Sequence, residues 1–328
     1  MKAALLYEKE DLRLIELPIP TIEPNEILMR VKAAKICPTD IRKYTLGSKD
    51  ARIRSLPMNL CHEFAGDIVD VGDEVSSLKK GMRITGYGFA GNAEYVKLQP
   101  RPENPYFANA ILELPPHMSY EEGAFITPLS ECIHSVVDQA NLRFGDTIAI
   151  IGAGHMGLQQ VNIAHWCGAH VIAIDLLDER LEIAKQFGAD ATINPTKENV
   201  VEAVKKVNDN HLANSSIATL GSPEVIQTAI DVTGNAARIV LFGGCPTGVT
   251  MRFNPNDIHY HEKLLVGIEG IGVHPNRRPE RRKQALRHIA SDKIDVKKLI
   301  THVLPLTEIV EAYEMIRLKK ALSIVLTP

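Results

Sequence analysis

TIAIIGAGHMGLQQVNIAHWCGAHVIAID, residues 147–175, decides how this chain folds. An apolar run ends at Gly152, the glycines Gly152, Gly154 and Gly157 follow in G-x-G-x-x-G order, helical spacing continues to about Cys167, and a second apolar run closes on Asp175. A glycine triplet alone is weak, because such triplets arise by chance in loops. Set between a strand and a helix, with an acid ending the next strand, it is the fingerprint of a dinucleotide-binding βαβ unit. Gly152 permits the tight turn, Gly154 lets the backbone approach a pyrophosphate, and Gly157 lets the helix pack on the strand. The helix N-terminus brings N–H groups and positive partial charge to the phosphates. Asp175 accepts hydrogen bonds from the ribose hydroxyls and repels a 2′-phosphate, so NAD is expected rather than NADP. His155 and Met156 in the turn, and Arg180 beyond Asp175, complete the expected cofactor-binding set. The structural alternative is a βαβ unit with glycine turns and no nucleotide.

The alternation of strand and helix continues through DERLEIAKQFG, IATLG (217–221), a helix from Pro223, RIVLFGG (238–244) and KLLVGIEG (263–270), which argues for a parallel, doubly wound α/β sheet. Upstream, the chain to about Pro116 reads as a loop-rich β domain. EILMRVKAAKI (26–36) alternates apolar and polar positions, and HEFAGDIVDVGDEV (62–75) carries Gly66 and Gly72 where turns fall. Prolines recur from Pro18 to Pro116 and disfavour long helices there. Residues 119–142 have helical spacing. RRPERRKQALRHIASDK (277–293) is a charged amphipathic helix whose basic run reads as a solvated face. The tail returns to strand, helix from Thr307 to about Lys320, and strand, and is expected to rejoin the first domain.

The 328 residues suit two domains with ample core. Lys+Arg 37 against Asp+Glu 40 leaves no basic excess for nucleic acid or anionic lipid, so neither is an expected partner. The five cysteines, Cys37, Cys61, Cys132, Cys167 and Cys245, contain no C-x-x-C pair, which removes zinc ribbons and close-spaced disulfide frameworks. Glu8, Glu10 and Asp11 interrupt the apolar core that a secretory signal needs, and a cytoplasmic protein is expected.

KICPTD (35–40), CHEFAGDIVDVGDEV (61–75), the fingerprint, SPEVIQTAIDVTGNAARIVLFGG (222–244) and the tail from Ala290 together resemble the medium-chain dehydrogenase/reductase superfamily, nearest its zinc-dependent sorbitol-type polyol and threonine dehydrogenases. The resemblance implies a GroES-like β-rich catalytic domain, residues 1–143 completed by 295–328, and a Rossmann domain, 144–294, with the active site in the cleft between. Carried over position by position, the resemblance implies Cys37 as the thiolate ligand of one catalytic zinc, His62 as the imidazole ligand, and Glu63 as either a direct ligand or a partner of one. A thiolate, an imidazole and a carboxylate suit zinc and leave a fourth position open. The reaction so implied is oxidation of a secondary alcohol, a polyol or cyclitol, with Thr39 expected to take the hydroxyl proton as the carbon gives up hydride to NAD.

Three departures stand out. Thr127 occupies the fourth metal-site position of the family's EPLS-like motif, and Arg42 stands where relatives carry a proton-shuttling histidine; it reads as a surface arginine or as a binder of anionic substrates. Cys61 replaces a glycine before the histidine and, with Cys132, Cys167 and Cys245, reads as packing. Relatives also insert a four-cysteine structural-zinc lobe where only GYGF stands here, so no structural zinc is expected; Tyr87 and Phe89 in that loop are candidates for a substrate wall or for packing. The resemblance further implies a homo-oligomer, a tetramer before a dimer, paired along KLLVGIEG. Two readings stay open beside this one: a zinc-free NADPH-dependent quinone or enoyl reductase, and a nucleotide-binding protein of the same fold without turnover.

Overall fold

The computed structural model describes residues 1–88, 90–101, 110–268 and 278–328. Its contacts divide the chain into two units, Met1–Ser130 with His274–Pro328, and Glu131–Val273.

The second unit is built on a six-stranded sheet in which every pairing is parallel. From edge to edge the strands are Ala191–Ile193, His170–Ile174, Thr147–Ile151, Ala213–Ala218, Thr233–Leu241 and Leu264–Gly267. In chain order that is third, second, first, fourth, fifth, sixth, the arrangement of a Rossmann sheet. Thr147–Ile151 is buried at every residue and His170–Ile174 at all but its first, the continuous burial of parallel strands covered on both faces. Ile151, Ile172, Ile174, Val204, Ile226 and Ile239 belong to the core cluster around these strands. The sequence reading marked neither Ala191–Ile193, whose three residues are too short to show a period, nor the helix Val200–Val207, whose apolar residues at 200, 203, 204 and 207 behind the Asn199 cap do carry a helical signal.

The glycine loop joins Thr147–Ile151 to the helix His155–Trp166. Gly152 has φ +103, a conformation that favours glycine, and a Cβ on Gly157 would stand 1.8 Å from the carbonyl oxygen of Gly152.

In the first unit a mixed sheet runs His302–Pro305, Ile324–Thr327, Ile27–Lys35, Phe64–Val71, Arg83–Gly86, Leu112–Glu113, with Tyr95–Leu98 also paired to Ile27–Lys35. A smaller sheet holds Asp11–Glu16, Lys2–Glu8 and Met58–Asn59. The late strand Ile324–Thr327 pairs antiparallel with the early one, Val325 opposite Lys35 and Leu326 opposite Ala34. One core cluster joins both chain ends, with Met29, Phe64, Ile68, Ile309, Tyr313 and Ile324 among its fully buried members.

Among the described residues the proline-rich first third keeps its α-helix short, nine residues at Pro38–Leu46, with Pro38 in the first turn, where a missing N–H costs nothing. One expectation needs correcting: the units divide earlier than 143/144 and 294/295. The helix Arg278–Ala290 packs with the first unit, where Arg282 donates to the carbonyl oxygen of Ala110 at 3.0 Å and His117 Nε2 meets that of Ala290 at 3.0 Å. Among the described residues no helix is long and apolar enough to cross a membrane.

Gly157→Ala forces its methyl group into the Gly152 carbonyl, so it should cost about 1–3 kcal/mol of stability. Denaturant unfolding of the two proteins measures this, and an unchanged midpoint would show that the loop relaxes freely.

Candidate functional site

The strand Ile27–Lys35 delivers the chain to Cys37, which caps the helix Pro38–Leu46. The Cys37 backbone N–H donates to Asp40 Oδ2 at 3.1 Å, and Asp40 N–H donates to the Cys37 carbonyl at 2.9 Å, which pins the first helical turn. Thr39 Oγ1 donates to Cys37 Sγ at 3.2 Å. From the other side comes the segment before the strand Phe64–Val71. Cys61 turns it with φ +67, and the Glu63 carbonyl accepts the Lys35 N–H at 2.8 Å, tying the two segments together.

One ligand atom each from Cys37, His62 and Glu63 lies within 4.8 Å of the others, and this is the group of His, Cys, Asp and Glu side chains among the described residues that could hold a metal ion. The donor set fits zinc: soft thiolate, borderline imidazole and hard carboxylate, all within reach of one small ion. Cys37 and Glu63 are buried, and the His62 side chain is 13% exposed.

Two charged side chains that the sequence reading missed complete the cluster. Lys35, fully buried, places Nζ 2.6 Å from Glu63 Oε2. Asp40, also fully buried, places Oδ1 3.5 Å from His62 Nδ1, while His62 Nε2 is 3.8 Å from Glu63 Oε1. Burial opposes the charge on each, yet neighbours overrule it. Cys37 and Asp40 hold the His62 pKa well above that of an ordinary imidazole. His62, the Cys37 N–H and Lys43 hold Asp40 below the usual carboxylate range, and Glu63 and Cys37 keep Lys35 above an ordinary lysine. Asp40 had a signal, the third helical position after Cys37 in KICPTD; Lys35 had only its oddity as a lysine among apolar strand residues.

The departures from the family pattern resolve into contacts. Thr127 is buried and its hydroxyl accepts a hydrogen bond from the buried guanidinium of Arg282. That guanidinium also lies 5.9 Å from the ring centre of Tyr87, whose ring meets His62 edge-on at 6.2 Å. Tyr87 therefore borders the cluster; Phe89 lies outside the described residues. Arg42 keeps 21% of its side chain exposed, and its Nε donates to the buried Asp50 carboxylate at 2.7 Å. Cys61 is fully buried, with Sγ 3.5 Å from the carbonyl oxygens of Lys35 and Glu63, though in a left-handed turn rather than by strand alternation. Cys132 is buried and Cys167 partly so, but Cys245 is exposed beyond the strand Thr233–Leu241 and packs nothing away from water.

In the second unit the acid and the glycine loop meet directly. Asp175 Oδ2 accepts the Ala153 N–H at 2.7 Å, and Oδ1 accepts the Leu177 N–H at 3.0 Å. Arg180 Nη1 stands 4.0 Å from Asp175 Oδ2. A Cβ on Gly154, the N-cap of the helix, would meet no protein atom within 4 Å, so the loop is open where the fingerprint requires a close approach. His155 is buried in the first turn, and the Met156 carbonyl oxygen lies 3.5 Å from Cys132 Sγ.

A three-donor metal cluster on a GroES-like unit, followed by a Rossmann sheet with its glycine loop, defines the class of zinc-type dehydrogenases. Comparison with known families agrees: residues 23–107 match the alcohol dehydrogenase GroES-like domain, and residues 142–291 match the zinc-binding dehydrogenase domain. Sorbitol dehydrogenase of Gallus gallus is 30% identical over 348 residues, covering 99% of this chain and 95% of the relative. L-threonine 3-dehydrogenase of Bacillus subtilis is 30% identical over 344 residues, covering 96% and 94%. The 2R,3R-butanediol dehydrogenase structure from Bacillus subtilis superposes with a TM-score of 0.86 at 24% identity, covering 100% of this chain and 99% of the other. The chain belongs to the zinc-dependent alcohol dehydrogenase branch of the medium-chain dehydrogenase/reductase superfamily. It is an oxidoreductase of the alcohol dehydrogenase type, and its family works with zinc and a nicotinamide cofactor.

In the metal-free protein Asp40→Asn removes one of the two neighbours, Cys37 and Asp40, that hold the His62 pKa up. The NMR titration midpoint of His62 should then move down toward that of an ordinary imidazole; an unmoved midpoint would show that Cys37 alone sustains it.

Proposed function

We propose that the protein oxidises the secondary alcohol of a polyol, cyclitol or similar small hydroxylated compound with NAD, using Cys37, His62 and Glu63 to hold one zinc ion and Thr39 to move the proton. The observation that carries this reading is the convergence of those three donors with Thr39 Oγ1 beside Cys37 Sγ at 3.2 Å. The reaction takes a proton from the hydroxyl and a hydride from its carbon, with the nicotinamide ring as acceptor. Zinc supplies Lewis acidity, which lowers the pKa of an alcohol oxygen beside it. The rest falls to the chain's own side chains. The Asp40 charge faces Nδ1 of His62 at 3.5 Å, while Nε2 lies on the side of Glu63 and the donor set. Thr39 can donate and accept through one rotatable hydroxyl, so it passes the substrate proton on without carrying net charge. With Thr127 hydrogen-bonded to Arg282, the ligand set from the protein is Cys37, His62 and Glu63.

The cofactor preference rests on Asp175. A carboxylate has about four lone-pair sites, so the two N–H groups it already accepts leave capacity for ribose hydroxyls. Its charge disfavours a 2′-phosphate, with Arg180 near enough to be drawn to the acid rather than to a phosphate.

The test is a reduction screen over polyols, cyclitols, amino alcohols and simple alcohols with NAD and NADP in parallel, alongside the zinc-to-protein ratio. Expected are one zinc per chain, turnover with NAD, loss of turnover on chelation and its return with zinc, while dinucleotide binding persists. Thr39→Val should lower kcat by about 10²–10⁴-fold with zinc retained. Full turnover by metal-free protein would sink the mechanism.

The reading extends to assembly. Leu264–Gly267 has a single strand neighbour among the described residues, and its Leu264 and Leu265 are exposed, an edge that soluble sheets rarely leave bare. A second copy pairing there makes a homo-oligomer, a tetramer before a dimer. Leu264→Lys with Leu265→Lys should reduce the mass found by sedimentation; a wild-type mass in the variant places the contact elsewhere.

A further inference from the structure

We propose that Lys35 is a positioning residue for Glu63: by engaging Oε2 it restricts this carboxylate to offering one oxygen, Oε1, to a metal at Cys37 and His62. The proposal rests on the reading of those three residues as the metal set.

Lysine is almost never fully buried unless its charge is met, and Lys35 is fully buried with Nζ 2.6 Å from Glu63 Oε2. The two residues are tied twice, since the Lys35 N–H also donates to the Glu63 carbonyl at 2.8 Å. On the other flank of the strand, Lys35 is paired with Val325, so its backbone is held by neighbours on both sides. The ammonium stands 5.2 Å from the ring centre of Phe125, a cation–π contact on a side chain that is itself fully buried.

A carboxylate can meet a cation through one oxygen or through both. Here Oε2 faces a positive charge at hydrogen-bond distance, which draws on its lone pairs and repels a second cation from that side. Oε1 is the oxygen turned toward His62, 3.8 Å from Nε2. The lysine thus settles how Glu63 meets the ion without touching the ion or the substrate, and it keeps the coordination number low enough for an alcohol oxygen to enter.

The experiment uses cobalt(II) in place of zinc, because four-coordinate cobalt absorbs visible light strongly and higher coordination weakens the band. Wild type should show the strong band. Lys35→Met should weaken and shift it, as the released carboxylate binds through both oxygens, and should tighten zinc several-fold in competition with a chromophoric chelator, because a positive charge near the ion is gone. The double variant K35M/E63Q, which removes both charges of the pair, should not show the weakened band of the single variant. Unchanged spectrum and affinity in Lys35→Met overturn the proposal, as does a weakened band that persists in the double variant. Should Lys35→Met fail to fold, X-ray absorption of the zinc-loaded wild type decides: one carboxylate oxygen at about 2.0–2.2 Å supports the proposal, and a chelating carboxylate overturns it. Failure of wild type to take up either metal refutes the metal site itself, a result distinct from the others.

Discussion

Burying a charge costs several kcal/mol unless another charge meets it, and the first unit buries four ionisable groups within one network. Lys35, Glu63, His62 and Asp40 are tolerated there because positive and negative alternate along the series. Removing one member of such a series leaves its neighbour uncompensated, a loss of about 3–5 kcal/mol for a buried pair. The architecture around the network can be understood as what this alternation demands. The strand Ile27–Lys35 brings the lysine, the helix Pro38–Leu46 brings Asp40, and the left-handed turn at Cys61 brings His62 and Glu63. The same alternation prepares the cluster for a metal. A dication can take the place of the proton on His62, so uptake of the ion and loss of that proton are one exchange of positive charge.

How much of this was legible in the sequence depended on whether the information was local. The glycine loop was fully legible, because a turn at φ +103 and a 1.8 Å clash on any side chain at Gly157 act within a few residues. Cys37, His62 and Glu63 were legible as motif positions, and the fold brings them together. The partners Lys35 and Asp40 were not, since a lysine in a strand and an acid in a helix are ordinary until burial and pairing are known. Pro38 was read only as a brake on long helices, whereas in the first helical turn its fixed φ is an asset. Arg282 could not be placed either: its helix has an amphipathic pattern, but nothing in that pattern says that its buried face meets Thr127 and Ala110.

The position of Thr127 shows how a chain can depart from its family and remain consistent. At the position where the family resemblance implies a metal-site side chain, this protein has a hydroxyl already committed to a guanidinium, and the guanidinium is backed by a carbonyl oxygen and an aromatic ring. Thr127, Arg282 and Tyr87 thus form one connected group beside the cluster. A lone return to an acid at residue 127 would meet a positive charge already in place, and would act as that arginine's counter-ion.

The antiparallel pairing of Val325 and Leu326 with Lys35 and Ala34 carries a consequence for how the chain comes into being. The strand that ends beside Cys37 emerges from the ribosome early, and its partner emerges only after the whole of Glu131–Val273. The second unit is continuous in sequence and can fold as soon as it is synthesised, while the first must wait with an open strand edge until its last pairing arrives. Long-range pairing of this kind is also slow, because a loop spanning most of the chain closes before any contact rewards it. The Rossmann unit can thus form ahead of the first unit, and a nascent chain can hold its parallel sheet before Cys37, His62 and Glu63 are fixed in place.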